Sequence, residues 1–313
     1  MANGHLDSTT LAMNDIKAAA QALALGELVA FPTETVYGLG ADATSEQACA
    51  KIFAAKGRPS DHPLIVHVAS PSGVTHFAAE VPAFAQNLMA TFWPGPLTVI
   101  LPRKLGVARS AAGGQDSIGL RCPSHPMALS LLRACQKLGV EGIAAPSANR
   151  FGRVSPTSAA HVRSEFDSDL IVLDGGDCDI GIESAIVDCT RGVPVLLRPG
   201  VLTHKALEVA CGQRLHLPQA LSSNAPKASG TLESHYAPKA KVRIITAQAA
   251  KTWTATPARA LYQLPVRPEQ AAHELFAALR ALDQPEVEEI AVTEPPAGEA
   301  WDGVRDRLMR AAA

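Results

Sequence analysis

Phe31-Pro32-Thr33-Glu34-Thr35-Val36-Tyr37-Gly38-Leu39-Gly40 is the stretch on which the reading of this chain turns. It follows a short apolar run, Leu28-Val29-Ala30-Phe31, of the kind expected for a buried strand. Pro32 ends that strand, two threonine hydroxyls and a carboxylate follow, and Gly38 and Gly40 predict a close backbone turn. A loop rich in small donors at the end of a buried strand is where open α/β sheets bind ligands. Taken alone, the same residues also fit an ordinary strand-to-helix turn.

The surroundings extend the pattern. Leu64–Val68, Leu97–Leu101, Gly142–Ala145, Leu170–Leu173 and Ala185–Asp188 read as strands. Ser45–Ala55 and Pro126–Leu138 carry helical periodicity with capping residues at their starts. Such alternation predicts an α/β layered domain with a twisted mixed sheet. From about His216 to Ala240 the pattern gives way to Pro, Ser, Asn, Gly and Lys, which reads as a linker. Beyond it, strands at Val242–Ile245, Arg259–Tyr262 and Glu289–Val292, with helices over Glu269–Leu282 and Trp301–Ala311, predict a small βαβ-type domain. The expected boundaries are 13–203, 204–239 and 240–313, with a loose tail before residue 8.

Composition narrows the function classes. With 47% hydrophobic residues, 19% charged residues and a net charge of −2 over 313 residues, the chain reads as a soluble globular protein. That balance gives no global drive towards nucleic acid or anionic membranes. No apolar run reaches membrane-spanning length, and the start has no charged-then-apolar leader pattern. The six cysteines lack any CxxC pair, so a reduced cytoplasmic setting with buried thiols is expected.

Familiar nucleotide motifs do not fit. There is no GxxxxGK[ST], and Gly38-Leu39-Gly40-Ala41-Asp42-Ala43 matches only a relaxed GxGxxA, six residues beyond its strand. A dispersed constellation is stronger. Lys56-Gly57-Arg58-Pro59 follows a helix, Ser147-Ala148-Asn149 follows Ile143-Ala144-Ala145, and Arg198-Pro199-Gly200 follows Val195-Leu196-Leu197. One rim of the sheet then gathers point charge, forked donors and small groups, as a triphosphate requires. Any one pair alone would read as solvated surface.

These segments, with Pro63–His67, Phe92–Thr98, Gly119–Pro123, Ala145–Asn149, Glu183–Asp188 and Leu197–Gly200, resemble the YrdC-like domain family in order and spacing. Gly230-Thr231-Leu232-Glu233-Ser234-His235-Tyr236-Ala237-Pro238 is similar to the linker signature of its long two-domain type, the threonylcarbamoyl-AMP synthases. The resemblance covers residues 13 to 313, densest in the first two-thirds. It implies a YrdC-like domain with a concave open sheet, then a linker and a small Rossmann-like α/β/α domain. The implied activity is L-threonylcarbamoyladenylate synthesis from ATP, L-threonine and bicarbonate or CO2, for modification of the tRNA adenosine beside the anticodon.

Carried over by motif position, Thr35, His67, Arg121, Ala145 and Ser184 would hold threonine. Arg58, His62, Ser117, Ser147, Asn149, Ser155, Arg198 and Tyr236 would contact ATP, and Lys56 and Arg58 would supply catalytic charge. The nucleophile belongs to the substrate, so no catalytic Ser, Cys or His is implied. His62 stands where many relatives carry asparagine, and Ser229 where many carry proline, which would loosen the linker turn. Mg2+ is expected to arrive with ATP, and no bound transition metal is expected from His62 and His67. The expected partners are the small substrates and a downstream tRNA threonylcarbamoyl transferase, with a tRNA or double-stranded RNA contact left open and no membrane.

Other residues read plainly. Phe92 and Trp93 are core, Leu275, Phe276, Leu279 and Leu282 are one buried helix face, and Cys178 is an inert thiol in a turn. Two alternatives remain at this point: an RNA-binding module without chemistry, and a carbamoyl transferase like the related hydrogenase-maturation domain, whose acylphosphatase and zinc-finger segments are missing from this sequence. The linker is expected to fold back over the first domain's cleft with Tyr236 reaching the phosphates.

Overall fold

The computed structural model describes residues 8–218, 226–230 and 235–313, with side chains from residue 13. The expected tail before residue 8 and Thr231–Ser234 of the linker signature lie outside the described residues. A nine-stranded sheet is built from β1 (Val29–Phe31), β2 (Gly38–Asp42), β3 (Ile65–His67), β4 (Leu97–Pro102), β5 (Ser117–Arg121), β6 (Ile143–Ala144), β7 (Ile171–Val172), β8 (Ala185–Asp188) and β9 (Val195–Arg198). Their spatial order is β7-β1-β2-β6-β3-β5-β4-β8-β9. The pairs β1/β7, β3/β5 and β4/β8 are parallel and the rest antiparallel, so the expected mixed α/β sheet is present. β10 (Lys241–Ile245), β11 (Arg259–Tyr262) and β12 (Glu289–Thr293) form a separate all-parallel sheet in the order β10-β12-β11. Parallel neighbours need crossovers, and the helix Pro268–Leu282 runs between β11 and β12.

The opening stretch corrects one expectation. Gly38 and Gly40 do not turn the chain; they lie inside β2, paired antiparallel to β1. Glycine is needed there for space: a Cβ on Gly40 would stand 2.8 Å from Ile143 Cγ2 and 2.9 Å from Phe31 Cε1. The polar residues 32–37 are therefore a loop between two hydrogen-bonded strands. The helices Ser8–Ala24, Ala83–Phe92 and His204–Cys211 and the strand β5 were also not anticipated. Ser117-Ile118-Gly119-Leu120-Arg121 mixes polar ends with a glycine, which masks its strand pattern.

Local chemistry sets the rim. The helix Glu46–Lys56 starts on Ser45, whose side chain accepts from the Ala48 N–H, and stops at Gly57 with φ of 64°. That left-handed turn, easy only for glycine, sends Lys56 and Arg58 to different neighbours. Register does the same across the sheet: β3 and β5 pair His67 with Arg121, and β8 and β9 pair Ile186 with Arg198. The main core fills the space around the large sheet and includes Trp93, whose indole donates to the Leu97 carbonyl at 2.7 Å. A second core joins Val36, Val154, Ile182 and Tyr236 to Leu275, Phe276, Leu279 and Trp301. The C-terminal unit is thus packed on the first through shared apolar surface that includes the linker tyrosine.

Candidate active site

A cavity opens where these strand ends meet. Its wall takes Thr33 and Val36 from the β1–β2 loop, Gly38, Arg58, Ile65 and His67, then Arg121 at the end of β5 and Ala145, Pro146 and Ser147 after β6. Glu183 and Ser184 before β8, Arg198 at the end of β9, and Ser229, Gly230, His235 and Tyr236 of the linker complete it. Ser229, Gly230, His235 and Tyr236 of the linker therefore close one side of the cleft. The open space is about 50 Å³, far below the roughly 300–1,000 Å³ of sites that hold drug-sized ligands.

Of the residues expected to bind substrates, Arg58, His67, Arg121, Ala145, Ser147, Ser184, Arg198 and Tyr236 share this cavity. The others stand behind or beside it. Thr35 is fully buried and shares a 2.9 Å hydrogen bond with Thr33 Oγ1, so Thr33 is the threonine on the wall. Lys56 is buried, and its ammonium donates to the carbonyls of Ser147 and Asn149, bracing that loop from behind. Asn149 Nδ2 donates to the Arg150 and Arg153 carbonyls at 2.7 and 2.9 Å. Ser155 donates to the Glu183 carboxylate. Ser117 lines a smaller adjoining pocket beneath Ser229. His62 is half-buried with its ring edge-on to Phe151 at 5.6 Å, and only its carbonyl reaches Arg58.

Two arginines rest on the linker. Arg58 Nη2 donates to the Pro63 carbonyl at 2.9 Å and to Ser229 Oγ at 3.4 Å. Arg198 donates from Nε to the Ser184 carbonyl at 3.1 Å, from Nη2 to Ser184 Oγ at 3.3 Å, and from Nη1 to the Ser229 carbonyl at 2.9 Å. Ser229 also donates to the Pro63 carbonyl at 2.7 Å, so the serine expected to loosen the turn instead pins it. Both buried guanidinium groups thus face neutral oxygen atoms. Burial lowers the pKa of Arg58 to about 10, which leaves it a cation at neutral pH.

The Arg121 end of the cavity is built differently. Arg121 Nη2 lies 2.7 Å from Glu34 Oε1, yet the angle is poor: neither atom makes a hydrogen bond among the described residues. Glu34 Oε2 accepts from the Ser124 N–H at 3.2 Å. Arg121 Nε, His67 Nδ1, His235 Nδ1 and Tyr236 Oη are buried and likewise without hydrogen-bond partners among the described residues. Buried polar atoms are normally satisfied, so four such groups on one cavity point to a ligand that supplies the missing bonds.

Burial, reinforced for His67 by Arg121, lowers both His67 and His235 to about 3. Each ring is neutral when folded but takes a proton near pH 6.5 when unfolded, so the unfolded chain binds more protons between those values. Stability should therefore fall as pH drops below 6.5, by at most about 1.4 kcal/mol per pH unit for each such histidine. Thermal unfolding from pH 7.5 to 5, above the carboxylate range, checks this. His67→Gln should flatten the dependence, and an unchanged slope would contradict neutral burial of His67.

Several residues in or behind the wall escaped sequence reasoning. Glu34 and Thr33 sit inside the opening stretch, where the run of hydroxyls and one carboxylate was their only signal. Glu183 directly precedes Ser184, and its place in the Glu183–Asp188 motif was its only signal. Arg307 lies in a C-terminal helix that reads as an amphipathic element with a solvated charged face.

A mixed α/β sheet whose strand ends gather arginines, hydroxyls and a neutral histidine around one small cavity defines a binding protein for small anionic substrates. The chain belongs to the Sua5–YciO–YrdC family, in its long two-domain form. That family's model, described as telomere recombination, matches residues 21–200, and the model of the threonylcarbamoyl-AMP synthase C-terminal domain matches residues 202–313. The chain is 46% identical over 233 residues to the threonylcarbamoyl-AMP synthase of Pyrococcus abyssi, covering 74% of this chain and 67% of that protein. It is 45% identical over 240 residues to the Bacillus subtilis protein of the same name, covering 75% and 68% respectively. The crystal structure of P. abyssi Sua5 complexed with L-threonine superimposes with a TM-score of 0.85 at 38% identity, covering 96% of this chain and 94% of that one.

Proposed function

We infer that this chain is an L-threonylcarbamoyladenylate synthase. Bicarbonate or CO2 and the threonine amine form an N-carboxy-threonine; its carboxylate oxygen attacks the α-phosphate of ATP, and pyrophosphate leaves with the broken phosphoanhydride bond. Threonylcarbamoyl-AMP and pyrophosphate are the products, with one water per bicarbonate consumed, so the reaction is a nucleotidyl transfer. The observation that carries this reading is the set of unpartnered buried groups on Arg121, His67 and Tyr236, sharing one cavity with Arg58 and Arg198.

Arg121 offers forked donors to the amino-acid carboxylate. Neutral His67 and the Ser184 hydroxyl, which lies 2.9 Å from Thr98 Oγ1, face the side chain and amine. Ala145 contributes backbone to this end, and Thr35 supports Thr33. Arg58, Arg198, Ser147 and Tyr236 form the nucleotide end, with Ser155 behind it on Glu183, Lys56 and Asn149 holding the Ser147 loop, the His62 carbonyl supporting Arg58 and Ser117 in the pocket that adjoins Ser229. The protein's part is positioning and stabilisation of charge on the transferring phosphoryl group. Triphosphate oxygens would replace Ser229 on both arginines, so nucleotide entry requires the linker to lift and closure returns it to exclude water.

Glu34 faces Arg121 and Glu183 is bound to Arg307, so neither carboxylate is placed as a dedicated Mg2+ ligand. Mg2+ would come with ATP, held by phosphates and water. The labile adenylate would pass to a tRNA threonylcarbamoyl transferase, and direct RNA contact is not needed for synthesis. The six buried free thiols suit a reducing cytoplasm.

A pocket that hydrogen-bonds a hydroxyl rejects analogues lacking it. Pyrophosphate release with L-threonine should exceed that with L-valine or 2-aminobutyrate by at least about a hundredfold. Equal release with all three would refute threonine as the substrate.

A further inference from the structure

The C-terminal unit reaches the cleft through a buried cation. Arg307, on the helix Asp302–Ala311, has 0% of its surface exposed. Its Nε donates to Glu183 Oε2 at 2.7 Å, Nη2 to the Glu183 carbonyl at 3.1 Å, and Nη1 to the Pro199 carbonyl at 3.0 Å and Asp306 Oδ2 at 2.7 Å. Its guanidinium lies 5.4 Å from the centre of the Tyr236 ring, which also stacks on Phe276 of the same unit at 5.4 Å. Glu183 lines the cavity and accepts the Ser155 hydroxyl, while Pro199 follows Arg198 directly. The contacts to Glu183, Pro199 and Tyr236 converge on the end of the cleft that holds Arg198 and Tyr236, while Asp306 is Arg307's own neighbour on the helix.

Stability alone is a poor reason for this arrangement. A buried ion pair is commonly matched by an apolar pair of similar volume, whereas removal of one partner leaves an uncompensated charge. Here the uncompensated charge would be a carboxylate beside the position of a triphosphate. Arg307 neutralises Glu183, fixes its angle so that one oxygen holds Ser155, and backs the cavity-lining ring of Tyr236, whose hydroxyl makes no hydrogen bond among the described residues.

We propose that Arg307 is a positioning residue through which the C-terminal unit sets the ATP-binding face, by holding Glu183, Pro199 and Tyr236 together. The proposal rests on the synthase reading, in which Arg198 and Tyr236 meet the nucleotide and Ser155 stands behind them on Glu183. It assigns the C-terminal unit a task inside the reaction site that a tether between two domains would not have.

The test uses the full chain with Arg307→Gln, Arg307→Lys and the double variant Arg307→Gln/Glu183→Gln. Loss of the charged hydrogen bonds to Glu183 should raise the ATP KM of Arg307→Gln about tenfold while the threonine KM stays within about twofold. Arg307→Lys keeps the charge and should recover most of the ATP KM; the double variant removes the stray carboxylate and should recover part of it. If Arg307→Gln does not fold, Arg307→Lys carries the same split at smaller size, because it loses the fork but not the charge. A substrate-free readout stands apart from the synthase reading: amide exchange over residues 180–184 and 235–238 should quicken in Arg307→Gln, with β10, β11 and β12 unchanged. An ATP KM equal to wild type, or both KM values rising together, would overturn the proposal, as would unaltered exchange in those two segments. A wild type that makes no pyrophosphate, combined with quickened exchange in Arg307→Gln, would uphold the positioning and overturn the synthase reading alone.

Discussion

Replacing Arg121 with alanine should raise the apparent KM for threonine by about a hundredfold, the size expected when a buried charged hydrogen-bonding partner is lost. Two effects add. The carboxylate loses a forked donor whose Nε and Nη2 make no hydrogen bond among the described residues. Glu34, 2.7 Å from Arg121 and buried, then stands as a bare negative charge facing the substrate carboxylate. Arg121→Ala/Glu34→Gln separates these effects: it should recover part of the KM by removing the repulsion but none of the lost clamp. Initial rates against threonine at saturating ATP measure both. A threonine KM within twofold of wild type in Arg121→Ala would mean that the amino acid sits elsewhere.

Arg58→Ala should act on kcat. The guanidinium lies on the cavity wall and is held by carbonyls and one serine, so it meets charge that grows on the phosphoryl group as the reaction proceeds. Deleting one preorganised donor of this kind lowers kcat by about 10²–10³. Arg58 is the residue of the Lys56-Gly57-Arg58 turn that lines the cavity, because Gly57 turns the chain and Lys56 points back to the Ser147 loop. Arg58→Ala should therefore keep its fold, as judged by thermal unfolding, while single-turnover adenylate formation slows. Unchanged single-turnover rates would remove Arg58 from the chemistry.

How far the sequence carried this account depended on distance along the chain. The alternation of short apolar runs with capped helices was enough for the mixed sheet, and strand-end residues such as His67 and Arg198 were legible because strands end at ligand sites, whereas Arg121, at the end of the unanticipated β5, was legible only through its family motif. β2 was not legible: a glycine run looks like a turn, and only the packing of Phe31 and Ile143 against Gly40 reveals a strand whose side chains have no room. Lys56 and Asn149 were recognisable as polar groups near the rim, but which way they point depends on Gly57 and on the loop they brace. Arg307 was invisible. Its partner Glu183 lies more than a hundred residues earlier, and periodicity assigns a cation on an amphipathic helix to solvent.

The linker shows the same limit. His235-Tyr236 stood out as an odd cluster for a tether, yet its seat between Phe276 and Arg307 depends on a domain docking that local sequence does not encode. Tyr236 also holds φ at 62°, a left-handed backbone unusual for a tyrosine and fixed by its surroundings.

The central claim is that this cleft joins threonine, bicarbonate and ATP into one adenylate. Incubation of the full chain with ATP, L-threonine and ¹³C-bicarbonate, followed by mass spectrometry of the nucleotide products, tests it most directly. The account predicts an adenylate one heavy carbon larger than unlabelled threonylcarbamoyl-AMP, formed in equal amount with pyrophosphate and only when all three substrates are present. Pyrophosphate without the labelled adenylate, or label incorporated in the absence of threonine, would contradict it.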